Sequence, residues 1–205
     1  MCLSGNNFLS TDFKKNDGVK CIKITNAGVD NIIETDERLP HEFLDKYKRY
    51  VVYTGDIVLA LTRPYIADGL KVSICPRSYD KSLLNQRVAV IRPSIRFLER
   101  DYCYLFLRSD YVLSGYKAEF DSKGQQPNLK NEHITHLIFP CPPRFEQQAI
   151  VTKVEKLLAL CDQLETQITQ NQTHAEQLMQ AVLKEAFSHT NEAEPSVTPR
   201  AAAHA

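Results

Sequence analysis

Two histidines three residues apart, His133 and His136, are the first pair in the chain that could ligate a metal. A zinc site needs three or four ligands in a recognisable spacing, and no third one completes it, so packing or surface histidines are the plainer reading. The six cysteines, Cys2, Cys21, Cys75, Cys103, Cys141 and Cys161, form no CxxC pair. That pattern reads as free thiols of a reduced, intracellular protein rather than a disulfide framework or a zinc ribbon. No GxxxxGK[ST] phosphate loop occurs, so ATP-driven work is not housed here. Pro142-Pro143 is preceded by Cys141 and followed by Arg144, which departs from the Asn/Asp-Pro-Pro-aromatic signature of adenine methyltransferases, and no Gly-rich strand-to-helix turn offers an S-adenosylmethionine site. Asp56, in a Gly-Asp-Ile turn, reads as a turn former rather than a catalytic acid. The residues therefore predict a non-enzyme that needs no cofactor and no metal. What remains is hydrogen-bonding chemistry: the polar stretch Ser122-Lys123-Gly124-Gln125-Gln126-Pro127-Asn128 sets three amides, each able to donate and accept, beside a glycine free to take unusual backbone angles.

The elements around that loop alternate between strand and helix signals. Residues 18–25 alternate apolar and polar and predict a strand closed at Asn26-Ala27-Gly28; Pro40 opens a short helix to Tyr47. Residues 54–62 are a turn feeding a largely apolar strand, as expected of a strand buried on both faces, and Arg63-Pro64 stops it. Further strands are expected over 70–75 and 84–92, each ended by proline. A helix is expected over 99–116 with a break near Ser114-Gly115, a helical turn over 129–134, and a last short strand over 137–139.

From Arg144 to Phe187 there is neither Gly nor Pro. Alternating steps of four and three pick out Ile150, Val154, Leu157, Cys161, Leu164, Ile168, Asn171, Ala175, Leu178 and Val182, which is the seam of a coiled coil. Forty-four residues at about 1.5 Å each make a rod of roughly 65 Å. A polar Asn171 on the seam is the kind of residue that fixes register or partner choice. The same stripe, widened by Leu158, Leu160 and Leu183, also fits a helix lying on its own domain. The predicted organisation is a domain over 1–143, a spacer and dimerisation helix over 144–187, and a disordered tail over 188–205.

Formal charge is zero over 205 residues, so this is no strongly basic nucleic-acid binder. The distribution is uneven, however. Between Arg63 and Lys130 there are 12 basic against 7 acidic residues, whereas 144–187 holds 4 against 6. A modest positive region is compatible with phosphate contacts. No apolar run approaches the roughly 20 residues needed to span a bilayer, and the start lacks the pattern of a signal peptide, so a soluble cytoplasmic protein is expected.

Four stretches now fall into one pattern: Gly55-Asp56-Ile57-Val58-Leu59 with Thr62-Arg63; Asn85-Gln86-Arg87-Val88-Ala89-Val90-Ile91-Arg92-Pro93; Gly124-Gln125-Gln126-Pro127-Asn128-Leu129; and Ile138-Phe139-Pro140-Cys141-Pro142-Pro143-Arg144-Phe145-Glu146-Gln147-Gln148-Ala149-Ile150-Val151. In that order and spacing, ending in a heptad helix, the chain resembles the DNA specificity subunit of type I restriction-modification enzymes over roughly 18–187. The resemblance implies an α+β fold, in which a mixed β-sheet target recognition domain with short helices is followed by a long coiled-coil helix. Family members carry two such domains and two helices that pair antiparallel as a spacer. One domain and one helix stand here, which resembles half of such a subunit, and the opening helix usual before the first recognition strand is not evident.

What the resemblance implies about partners is double-stranded DNA, methyltransferase (modification) subunits, restriction subunits through the complex, and a second copy of this chain joined through an antiparallel coiled coil. Such a dimer would read two identical, inverted half-sites. Base edges call for bidentate or amide side chains and phosphates for Lys or Arg. By type and loop position the expected DNA-binding residues are Arg63, Lys71, Asn85, Gln86, Arg87, Lys123, Gln125, Gln126 and Asn128. Asn85 and Gln126-Pro127-Asn128 equally fit scaffold positions that satisfy backbone groups. In that case discrimination belongs to the loops at 66–70, 79–83 and 117–123. The competing function is a non-catalytic coiled-coil adaptor whose globular head binds protein.

Overall fold

A computed structural model describes residues 1–67, 69–121 and 126–190, with side chains through 187. The chain divides into two compact units, one of residues 1–152 and one from Lys153 onward.

The first unit is built on two sheets. One has four antiparallel strands in the order β1 (Cys2–Ser4), β11 (Val88–Ile91), β6 (Ile57–Ala60), β9 (Val72–Ile74). The other is mixed and has five: β2 (Lys14–Lys15), β4 (Glu37–Leu39), β3 (Val19–Ile22), β10 (Ser82–Leu84), β5 (Val51–Val52), with β3 and β10 parallel. A hairpin of β7 (Tyr65–Ile66) and β8 (Gly69–Leu70) stands apart.

Side-chain alternation explains why the central strands are apolar throughout. Along β6, Ile57 and Leu59 join one core cluster and Val58 another; along β11, Ala89 and Ile91 go with the first, Val88 and Val90 with the second. The first cluster lies under the helices α2 (Arg100–Leu107), α3 (Asp110–Phe120) and α4 (Asn131–Thr135), through Cys103, Leu107, Val112, Tyr116, Phe120 and Ile134. The second joins the two sheets through Ile22, Val52 and Leu84. The far face of the five-stranded sheet makes a third cluster of Cys21, Leu39, Leu83 and Phe8, against Phe43 and Leu44 of the short helix α1 (Phe43–Lys46). A strand covered on both faces has no solvent side to carry polar residues, and each aliphatic side chain so buried stabilises by about 1.5–3 kcal/mol.

Several elements differ from the sequence expectation. The polar opening forms β1, which pairs with β11 at Cys2↔Ile91. The helix expected over 99–116 breaks at Ser109 rather than at Ser114-Gly115. The Ser109 hydroxyl donates to Phe106 O at 2.6 Å and accepts from Val112 N at 3.5 Å, so it caps α3, and Gly115 sits inside that helix. Residues 137–139 form no strand. Phe139 instead packs edge-on against Phe106 and Tyr102 at 4.4 and 5.7 Å between ring centroids.

The chain passes close to itself at Gly5. Asn6 bridges Asn85 in parallel, and a Cβ on Gly5 would lie 2.2 Å from Asn85 O and 2.3 Å from Leu84 O. Gly5→Ala is therefore expected to cost more than about 1 kcal/mol in a thermal melt, because the segment after β1 must lift away from the carbonyls that end β10.

The second unit is the remainder of α5 (Arg144–Thr190), a helix of 47 residues. Its first turns belong to the first unit: Arg144 Nη1 donates to Ile95 O at 2.9 Å, and Gln147 is fully buried. The sequence boundary at residue 143 thus falls some nine residues before the boundary between the compact units. No helix among the described residues is long and apolar enough to cross a membrane.

Candidate nucleic-acid interface

Beyond Ala60, strand β6 runs into a crossing of four segments. Leu61 N donates to Arg87 O at 2.9 Å, Leu129 N donates to Leu61 O at 2.7 Å, and Arg63 N donates to Pro127 O at 3.0 Å. Thr62 bridges Asn128 antiparallel. From the other side Lys71 O accepts Ala60 N at 3.0 Å, and Lys71 N donates to Pro64 O at 2.6 Å. The backbone therefore brings Arg63, Lys71, Arg87, Gln126 and Asn128, taken from four separate stretches of sequence, to one end of the four-stranded sheet. Arg63, Arg87, Gln126 and Asn128 are exposed and Lys71 is half-buried.

Arg63 holds φ of 48°, a left-handed conformation that costs a non-glycine residue roughly 1–2 kcal/mol, so its placement is imposed by the segments that clamp it. Its guanidinium donates from Nη2 to Gln126 Oε1 at 3.4 Å. Asn128 Nδ2 donates to Gln126 O at 3.1 Å, which ties Asn128 to the loop backbone. Next to Arg63, the Tyr65 hydroxyl donates to Asp121 at 2.6 Å. Partial burial and that carboxylate push the phenol up to about 12, so it remains a donor at neutral pH.

Asn85, Gln86 and Arg87 make the turn between β10 and β11. Asn85 N donates to Ile22 O, and Asn85 O accepts Val88 N, both at 3.0 Å, so the backbone of Asn85 is structural. All three residues line an open depression together with Lys23, Glu37, Phe8 and Phe13. Lys23 pairs with Glu37 and lies 4.7 Å from the centre of the Phe13 ring. Lys123 and Gln125 lie outside the described residues. Of the two histidines, His133 accepts Lys130 N through Nδ1 at 2.9 Å while its Nε2 faces Glu119 at 3.6 Å. Among the described residues no cluster of three or more potential ligands exists.

The model of the type I restriction modification DNA specificity domain matches residues 5–172, covering all of the two-sheet unit after β1 and most of the helix. The chain belongs to this family. It is 32% identical over 158 residues to the type I restriction enzyme MjaVIII specificity subunit of Methanocaldococcus jannaschii, covering 75% of this chain and 36% of that protein. It is 27% identical over 126 residues to the Escherichia coli EcoAI specificity subunit, covering 62% and 21% respectively. The chain thus spans about a third or less of these relatives' length. The same fold is found in the HsdS subunit from Thermoanaerobacter tengcongensis, with a TM-score of 0.64, 23% identity, and coverage of 90% of this chain and 46% of that one. It recurs in a chain from a study of complex assembly and conformational transition of the type I R-M system, with a TM-score of 0.65, 16% identity, and coverage of 91% and 43%.

Two residues of this specificity domain that set its geometry, Arg92 and Gln147, were given no role in the sequence reading. Asp56 accepts Tyr53 N at 2.8 Å, closing its turn, and is held by Arg92, whose Nε reaches Asp56 Oδ1 at 2.7 Å. That the acid sits in a turn was legible, but an ion pair 36 residues long was not. Gln147 spans the 97–99 segment and the proline run: its Oε1 accepts Glu99 N at 2.8 Å, and its Nε2 donates to Phe97 O at 2.9 Å and Pro142 O at 2.8 Å. The signal that could have found it is the seam itself. Stepping back three from Ile150 lands on Gln147, a polar residue where an apolar one is due.

Along the rest of the helix the seam carries no cover. Ile150 and Val154 are half-buried, whereas every residue from 155 to 187 is exposed, Leu164 by 50% and Ile168 by 57%.

Proposed function

We propose that this chain is a sequence-specific DNA recognition subunit of a type I restriction-modification system, non-catalytic and cytoplasmic, which directs methyltransferase and restriction subunits to a bipartite site. The observation that carries the reading is the family match, which runs without interruption from the two-sheet head into the helix. The convergence of Arg63, Lys71 and Arg87 at one sheet end supports it, because cations gathered from distant sequence positions suit a phosphate backbone. Gln86 and Gln126 are the amides placed to read base edges. Asn85 and Asn128 serve mainly to hold that end of the sheet together. Two copies pair their helices antiparallel, which separates the heads, since each precedes its own helix in the chain, and sets them on inverted half-sites.

The direct test combines this chain with its cognate modification subunit and asks whether adenine methylation becomes sequence-selective; methylation that ignores sequence overturns the proposal. In fluorescence anisotropy, binding to duplex DNA is expected to weaken as salt rises. Arg63→Ala and Arg87→Ala are each expected to flatten the slope of log K against log salt by about 1. An unchanged slope in both variants would remove this sheet end from the interface.

A further inference from the structure

The exposed seam of α5 also specifies how two copies line up, an inference that rests on the antiparallel pairing proposed above. The usable length is limited at its start, because Gln147 is fully buried and Ile150 and Val154 half-buried within their own chain. The free seam therefore runs from Leu157 to Val182. In an antiparallel pair the seam alternates between two position types, and one type faces the other across the interface. Candidate registers then differ by whole heptads.

We propose that the pair adopts the register that sets Leu157 against the partner's Val182, Cys161 against the partner's Leu178, Leu164 against the partner's Ala175, and Ile168 against the partner's Asn171. Two independent features favour it. The flanking positions match: Leu158 falls opposite the partner's Met179 and Glu165 opposite the partner's Gln172, so apolar meets apolar and no like charges oppose. One heptad toward the helix start, Ile150 would face the partner's Val182, Leu158 would face Gln172, and the two Glu165 carboxylates would face each other at the two-fold axis. That arrangement also requires Ile150 and Val154, which are already partly covered. One heptad the other way sets Glu165 against the partner's Met179. The second feature is Asn171. In the proposed register the two Asn171 side chains occupy the layers on either side of the two-fold axis, about 5 Å apart along the helices, so each buried amide has the other as a neighbour. In the first alternative each amide faces the partner's Cys161, away from the axis.

Cysteine cross-linking distinguishes these arrangements, because Cys161 is an exposed free thiol on the seam and a disulfide forms only when Cα atoms approach within about 7 Å. In a full-length background carrying Cys141→Ser, Leu178→Cys is expected to give an oxidised dimer that disappears when Cys161→Ser is added, whereas Asn171→Cys is expected to give no dimer that depends on Cys161. A dimer from Asn171→Cys that disappears when Cys161→Ser is added overturns this register and keeps the antiparallel pair. A disulfide formed by Cys161 alone would mean parallel chains. Failure of both variants to cross-link, in a protein that sediments as a dimer, also overturns the register. A monomer in sedimentation at all concentrations refutes instead the dimer reading on which it rests.

Discussion

Replacing Gln147 by leucine is expected to lower the stability of the head by about 3 kcal/mol. The side chain is fully buried and makes three hydrogen bonds to backbone, besides a long one to Cys141 Sγ at 3.9 Å. Leucine keeps the volume but leaves Glu99 N, Phe97 O and Pro142 O without their partner. An unsatisfied buried polar group costs about 1–3 kcal/mol. The full sum is not expected, because Phe97 is an exposed residue whose carbonyl can turn to water. Gln147→Glu separates the contributions: it keeps an acceptor for Glu99 N and loses both donations, at the further cost of a buried charge. The chain has no tryptophan and nine tyrosines, so urea unfolding is best followed by tyrosine fluorescence, which reports on the head and not on the tyrosine-free helix. A leucine variant that unfolds at the parent's urea midpoint would show that these bonds exchange freely with water.

Arg92→Met is expected to cost a comparable amount, about 3 kcal/mol, at the low end of what breaking a buried ion pair costs. The Asp56 side chain is 10% exposed and that of Arg92 28%, so water recovers a part of the cation's loss but little of the anion's. Arg92 also donates from Nη2 to Val51 O at 2.8 Å, and through that bond the pair joins the two sheets, because Val51 starts β5 while Arg92 follows β11. The partner substitution decides the cause. Asp56→Asn added to Arg92→Met removes the stranded charge and is expected to restore part of the stability, giving a coupling energy of about 1 kcal/mol or more in a double-mutant cycle. Additive losses would mean that the arginine acts through its aliphatic stem and the Val51 carbonyl alone.

The core strands and the long helix were legible because their signals are local. Ile57 to Ala60 and Val88 to Ile91 are apolar throughout, and burial on both faces leaves that mark whatever the partners are. The seam of α5 is written in its own spacing. What escaped depends on distant partners. Cys2–Ser4 is a strand only because β11 offers it an edge, and Lys14-Lys15 because Glu37–Leu39 does. The helix break at Ser109 turned on a capping serine, whereas the eye is drawn to Gly115, which helix α3 accommodates with open space around it. The candidate interface shows the same division. Arg63, Lys71, Arg87 and the amides could be chosen by type, but their meeting at the end of β6 is a product of backbone pairing between stretches more than 60 residues apart, as in the Thr62↔Asn128 bridge.

The pairing of β1 with β11 governs how the head comes into being during synthesis. Cys2 finds its ladder partner in Ile91, so a segment made early waits for one made 89 residues later, roughly 5–20 s at ordinary translation speeds. Late in that interval, once β9 has followed β6, these two can associate as a nascent hairpin, yet the edge that β11 will fill stands open. A nascent chain with an apolar, unfilled strand position is a natural client for chaperones, and crowded expression at high temperature is when it would be lost to aggregation.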